Sequence, residues 1–396
     1  MAGLMIALDQ LNQQYDKGYR TVMTDKLPLS LYIHVPWCVR KCPYCDFNSH
    51  AVRGDIPESA YIDALIQELE RSLPDIWGRP VETVFIGGGT PSLFTPEGLD
   101  RLLTAVRTLL PLRPWAEVTL EANPGTFEVA RFRAYHEVGI NRLSIGIQSF
   151  NDRHLQALGR IHDSAEAGRA VAAASEIFER LNLDLMYALP EQTLPELEAD
   201  LATALAFGPS HLSCYHLTLE PNTAFAAAPP PLPDDDLAAN MQERVEEMLS
   251  GAGYQHYETS AFARPGQASR HNLNYWQFGD YLGIGAGAHS KLSFHDRVLR
   301  RANRKLPREY MEGAPAEERD LTPDDLRFEF MMNALRLNSG FESGLFQERT
   351  GLPWEAVRSE IDKAEKSGLL ERDGLIVRPS PMGRRFLNDL LEMFLD

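Results

Sequence analysis

The sequence predicts an α/β protein: a parallel sheet or barrel with helices outside it, followed by a smaller α+β unit. Three observations predict this. Short β-like runs alternate with amphipathic helical patterns about six times through the first half of the chain. Each candidate strand ends in a polar or glycine-rich loop, the side on which βα barrels carry their chemistry. After a proline-rich break the pattern becomes helix, helix, helix, hairpin, helix.

Taken in order, residues 1–27 read as an N-terminal extension. Its opening "MAGLMIALDQLNQ" is briefly apolar but lacks the basic start and small-residue cleavage site of a signal peptide. The barrel unit is expected over 28–228, with strands "SLYIHV" (30–35), "TVFIGG" (83–88), "EVTLEA" (117–122), "NRLSIGI" (141–147), "LNLDLMY" (181–187) and "HLSCYHLTL" (211–219). Between them lie helices in "PESAYIDALIQELERSL", "PEGLDRLLTAVRTLL", "EVARFRAYHEVG" and "LPELEADLATALAFG". The segment "AAAPPPLPDDD" (226–236) marks a boundary, since its prolines block helix and central strand and its aspartates suit a helix start. A connecting region follows over 229–320, in which residues 254–300 are aromatic and glycine-rich and expected to be irregular with some β. The last unit, 321–396, has the order of a winged helix-turn-helix. Its recognition-position helix mixes Arg358, Lys363 and Lys366 with Glu355, Glu360, Asp362 and Glu365, so it suits packing or protein contact rather than DNA.

A chain of 396 residues calls for two or three domains. Its net charge of −17 argues against a nucleic-acid binder that relies on phosphate attraction. No run of about eighteen apolar residues is present, so no membrane span is expected. Four cysteines in so long a chain make no disulfide framework. Three are bunched, which in a chain without an export signal points to metal in a reducing cytoplasm. The fourth, Cys214, reads as a buried strand residue.

The bunched thiols, Cys38, Cys42 and Cys45, lie in "HVPWCVRKCPYCDF" with C-x3-C-x2-C spacing. Pro36 and Pro43 break any helix there, so the segment is a loop wrapped around something. Unrelated cysteines would leave reactive thiols beside Arg40 and Lys41. A structural zinc would need a fourth ligand, with His34 or His50 as candidates. A cubane cluster held by three thiolates would leave one iron open for an exogenous ligand. "GGGTP" (87–91), after the second strand, lets backbone approach a ligand closely.

With this loop and glycine motif the sequence resembles the radical S-adenosylmethionine superfamily. The resemblance implies a partial (β/α)6 barrel with a C-terminal α+β region of HemN type that includes the winged-helix-like unit. It implies a [4Fe-4S] cluster on Cys38, Cys42 and Cys45, whose open iron chelates S-adenosylmethionine and yields a 5′-deoxyadenosyl radical, and an electron donor to that cluster. It narrows to the HemN-like branch, which holds oxygen-independent coproporphyrinogen III dehydrogenases and the HemW haem chaperones. "LYIHVPWCVRKCPYCDFNSH", "FIGGGTPSL", "EANPG", "SIGIQSF", "LGRIH", "NLDLMYALP", "LTLEPNT" and "HNLNYWQFGDYLGIGAGAHS" carry it. Residue by residue it places Tyr32, Tyr44, Gly88, Gly89, Thr90, Glu121, Gln148, Arg160 and Asp184 around S-adenosylmethionine. Carboxylates suit an ammonium and ribose hydroxyls, and a guanidinium suits a carboxylate.

Two departures favour the haem chaperones over the dehydrogenases. Phe47 stands where those enzymes carry a further cysteine, and fewer than forty residues precede Cys38. "HNLNYW" matches the branch's haem-associated motif and implies haem contact by His271, Asn272, Tyr275 and Trp276, with Arg264 and Arg270 as propionate candidates. On residues alone, the favoured reading is that His271 and Asn272 satisfy loop backbone while Tyr275 and Trp276 fill the core; His289 is a weaker ligand candidate. "GIGAGA" (283–288) fits a dinucleotide fingerprint but is set aside, because no apolar strand precedes it and no helix follows. The expected function is haem binding and transfer to acceptor haemoproteins, with a homodimer open. The alternatives are anaerobic coproporphyrinogen III oxidation in porphyrin biosynthesis, radical methyl transfer, and a zinc-stabilised interaction protein.

Overall fold

The computed structural model describes residues 27–76, 78–126 and 129–395. The extension expected over 1–27 lies outside them, apart from Leu27.

Six parallel strands form the barrel wall: β1 (Leu29–Val35), β2 (Val81–Gly88), β3 (Leu112–Ala122), β4 (Arg142–Gln148), β5 (Arg180–Tyr187) and β6 (His211–His216). Between them run α1 (Glu58–Ile76), α2 (Pro96–Leu109), α3 (Val129–Glu137), α4 (Ser164–Ile177) and α5 (Leu194–Ala206). Leu31, Ile33 and Val35 of β1 share one core with Ile62, Leu65 and Leu69 of α1. The alternate residues Ser30, Tyr32 and His34 face the lumen, because strand side chains reverse with period two. All seven residues of β1 are buried or half-buried, as a parallel strand covered on both faces requires.

The proline segment ends at α6 (Asp235–Gly251), whose N-cap Asp234 accepts from Leu237 N at 2.8 Å. The acidic triplet is a helix start, and Met241, Val245 and Leu249 of α6 join the barrel core.

The stretch 254–300 carries more regular structure than expected. With the residues up to 320 it forms β7 (Gln255–Glu258), β8 (Ala261–Ala263), the short helix α7 (Arg270–Trp276), β9 (Asp280–Ile284), β10 (His289–Ser293), β11 (Val298–Ala302) and β12 (Glu317–Asp320). All belong to the barrel's sheet except α7, in the order β12-β11-β10-β9-β1-β2-β3-β4-β5-β6-β8-β7. β9 lies parallel to β1 and adds a seventh parallel strand. Contrary to the expectation that no apolar strand precedes "GIGAGA", β9 leads into it. Strand β10 follows it, so it opens no helix that could hold a phosphate.

The C-terminal unit has its own core around Phe330, Phe346, Val357, Ile361 and Phe394. It comprises α8 (Pro323–Ala334), α9 (Ser343–Thr350) and α10 (Glu355–Lys366). A three-stranded sheet of Phe341–Glu342, Ile376–Pro379 and Leu370–Asp373 completes the winged arrangement. The expected last helix is broken at Phe386 into Pro381–Arg385 and Leu387–Glu392. Among the described residues no helix is long and apolar enough to cross a membrane.

Candidate functional site

At the C-terminal end of β1 the chain enters the cysteine loop. Trp37–Cys38 pairs with His50–Ala51, which closes the loop at its base. Cys45 N donates to Cys42 O at 3.2 Å, making a tight turn around Pro43 and Tyr44. The loop is pinned from three sides. Gly89 N reaches Val35 O and Thr90 N reaches Trp37 O, both at 2.7 Å. Phe225 N donates to Pro43 O at 3.0 Å. Gly159, at φ +68°, leaves room for the Pro43 ring, which a Cβ would meet at 2.9 Å.

The glycine motif has a sharper reason than ligand approach alone. A Cβ on Gly88, whose φ is +114°, would stand 2.5 Å from the His34 ring, and one on Gly89 would stand 2.5 Å from the Trp37 carbonyl oxygen. Glycine is required because the motif packs against the cluster strand itself.

All three loop thiols are free and half-buried. Burial raises the Cys38 thiol pKa, and neighbouring Cys45 and Cys42 raise it further, against hydrogen bonds from Thr90 and Ser49 that favour thiolate. Ser49 Oγ also lies 3.7 Å from Cys45 Sγ, and Arg160 Nη1 donates to Cys42 Sγ at 3.7 Å. Three neighbouring thiols with hydrogen-bond partners at their sulfurs are a donor set that a thiophilic cation stabilises as thiolates. Among the described residues no three His, Cys, Asp or Glu side chains converge on one ion. His34 is occupied by Tyr32 OH at 3.0 Å and Asn48 O at 2.8 Å, and His50 lies 3.2 Å from Lys305 O. A cubane offers separate irons at its corners, so its thiolates need not meet at one point. The loop fits a cluster.

The lumen below holds the other expected residues. Glu121 Oε2 accepts from Gly88 N at 3.0 Å. Burial, then the charge of Asp184, pushes the Glu121 carboxyl up to about 8, against that hydrogen bond. Asp184 accepts from Ser144 Oγ at 3.0 Å and Asn182 Nδ2 at 2.8 Å, and burial raises it too despite these bonds. Two buried carboxyls, one of them raised by the other's charge, are a pair that a cation or hydroxyl groups would stabilise in ionised form. Gln148 ends β4 at φ +71°, after a register shift at Gly146, a conformation costly for a residue with a side chain. Arg160 donates to Gly146 O at 2.7 Å and to Asn123 Oδ1. Tyr44 sits beside Arg160 and Cys42, and burial is the largest influence raising its phenol. Tyr32 lies deeper, between His34 and Phe85.

The cavity beside Cys42 and Arg160 is also lined by Val39, Arg40, Asn123 and Ile161, which the sequence reading did not single out. Asn123, two residues past Glu121 at the strand end, donates to Thr90 Oγ1 at 3.0 Å. Its position in "EANPG" was the available signal.

The "HNLNYW" segment forms α7, which closes the barrel's other end. Buried Glu117 accepts from Arg270 N at 2.9 Å and His271 N at 3.3 Å, while its other oxygen lies 2.8 Å from Arg180. Thr83 donates to Ser30, so its oxygen accepts from His271 Nδ1 at 2.8 Å; Nε2 lies 3.0 Å from Tyr275 OH. Both ring nitrogens are thus engaged. Asn272 N is capped by Ser269, Tyr275 packs edge-on against Tyr281, and Trp276 lies under the Arg336 guanidinium. Arg264 stacks on Tyr254, and Arg270 reaches Trp115 O. The motif is a floor.

Comparison with known proteins gives the class first. The family model of the radical SAM superfamily matches residues 32–204, and that of the HemN C-terminal domain matches residues 321–386. "Heme chaperone HemW" of Escherichia coli (strain K12) is 49% identical over 371 residues, 93% of this chain and 98% of that protein. "Heme chaperone HemW" of Bacillus subtilis (strain 168) is 34% identical over 380 residues, 92% and 99% respectively. The solved structure described as "Coproporphyrinogen III oxidase (HemN) from Escherichia coli is a Radical SAM enzyme" superposes with TM-score 0.79 at 25% identity, covering 95% of this chain and 92% of that one. The chain belongs to the radical S-adenosylmethionine superfamily and, within its HemN-like branch, to the HemW family. Membership of the superfamily implies a [4Fe-4S] cluster and S-adenosylmethionine.

Proposed function

We propose that this protein is a haem carrier that binds haem and hands it to acceptor haemoproteins, with a [4Fe-4S] cluster on Cys38, Cys42 and Cys45 and S-adenosylmethionine beside it. The observation that carries this reading is similarity to proteins named haem chaperones, 49% identical along nearly the whole chain against 25% for the coproporphyrinogen oxidase structure. Phe47, 62% exposed where the dehydrogenases are expected to carry a cysteine, points the same way.

Cluster and S-adenosylmethionine together would supply one-electron chemistry at the sulfonium. The chain's own residues set the surroundings. Hydrogen bonds from Thr90 and Ser49 favour thiolate at Cys38, and Arg160 donates to Cys42 Sγ. The buried Glu121 and Asp184 offer negative charge to an ammonium or hydroxyls, and the Gly88–Gly89 backbone fixes their distance from the loop.

The test is anaerobic. Protein with a reconstituted cluster should take up haem in a fixed stoichiometry and pass it to an apo-haemoprotein, read by the acceptor's own absorption. Conversion of coproporphyrinogen III, given reductant and S-adenosylmethionine, without haem uptake would instead establish the oxidase.

A further inference from the structure

A haem iron takes an imidazole with a lone pair to give. Along the lumen, His34, His211 and His271 spend both ring nitrogens on protein partners. His289, the first residue of β10, is exposed, and no hydrogen bond or ring contact to its imidazole occurs among the described residues.

Its setting is specific. β10 pairs with β9 through Tyr281↔Lys291 and with β11 through Lys291↔Arg300. By the two-residue period, His289, Tyr281 and Arg300 therefore share one face of the sheet. That face continues to Tyr32, since Gly283 of β9 pairs with Tyr32 of β1. A Cβ on Gly283 would stand 2.0 Å from the His289 carbonyl oxygen, so glycine lets the start of β10 settle against β9 and carries the imidazole on a rigid strand. The charges of Arg300 and Lys305 reach the ring. Arg300 is already committed to Glu329 and Tyr281. Lys305 is exposed, forms no ion pair among the described residues, and offers its carbonyl to Asn48 and His50 of the cysteine loop.

We propose that His289, rather than His271, is the protein ligand to haem iron, with Lys305 taking a propionate and the Tyr281 ring, backed by Tyr275, lying against the macrocycle. The inference rests on the haem-carrier reading and deepens it. "HNLNYW" then acts through Tyr275, which packs 4.6 Å from Tyr281 between ring centroids, and not by ligation. The cargo would sit beside the cysteine loop, since the Lys305 carbonyl accepts from Asn48 of that loop.

The experiment titrates ferric haem into the full chain with its cluster reconstituted without air, followed by Soret absorption and electron paramagnetic resonance. His289→Ala should weaken binding on the order of tenfold and lose the histidine-ligated spectrum, with added imidazole restoring it. Lys305→Glu should weaken binding several-fold and keep the wild-type spectrum. His295→Ala, an exposed histidine on the same hairpin, should change neither. A His289→Ala chain with wild-type spectrum and affinity overturns the ligand assignment while the carrier reading stands. Equal losses in His289→Ala and His295→Ala mean diffuse surface binding and overturn it as well. A wild-type chain that takes up no haem overturns both.

Discussion

At the scale of single residues, burial without compensation sets the chemistry. Glu121, held up to about 8, is largely protonated at pH 7. If Glu121 takes the cationic end of S-adenosylmethionine, as proposed, binding should release on the order of one proton. Calorimetry in buffers of different ionisation enthalpy reads this directly, and Glu121→Gln should abolish it. His271 behaves oppositely. Burial holds it down to about 3, while an unfolded imidazole titrates near 6.5. Between those values the unfolded chain binds a proton that the folded chain refuses. The stabilisation is therefore fully present above about pH 6.5 and is lost as pH falls toward 3. His271→Phe should flatten the pH dependence of the chemical-denaturation midpoint in that window. The residue scale was legible in the cysteine spacing and in the strand-end carboxylates, whose chemistry is local. It was not legible at His271. A histidine's availability depends on which partners fold over it, and Thr83 lies 188 residues away.

At the scale of elements, the cysteine loop is rigid because the glycine strand end has no side chains to hold it off. Gly89→Ala puts a methyl against the Trp37 carbonyl and should cost about 1–3 kcal/mol, with a fall in iron retained per chain after gel filtration. The barrel strands declared themselves in the sequence because each is seven to eleven residues long except β6, and apolar on the side facing the helices. The strands of 255–302 did not, since runs of three to five residues show no period, and the pairing of β9 with β1 that fixes them to the barrel spans most of the chain. Helix α4 was passed over although Asp163 and Glu166 form a full capping box. Its buried face is Ala167, Ala170, Val171 and Ala174, too small-sided to stand out as an apolar stripe.

At the scale of the whole molecule, the C-terminal unit ties together the two arms of an open sheet. Glu329 of α8 takes Arg300 from one arm, and Arg336 pairs at 3.1 Å with buried Glu258 from the other. Replacing Arg336 by Met leaves the Glu258 carboxylate buried and unpaired. Because Arg336 is itself partly exposed, the expected cost is about 1–3 kcal/mol, read as a lower melting temperature with earlier proteolysis near residue 320. Central to the account is that three thiols, and no fourth protein ligand, hold a cubane with one open iron. The most direct measurement is iron, sulfide and zinc per chain in protein purified without air, with Mössbauer spectra before and after S-adenosylmethionine. About four irons and four sulfides are expected, with one iron changing its signal when S-adenosylmethionine is added. A colourless chain carrying zinc, or a cluster whose four irons ignore S-adenosylmethionine, would contradict this.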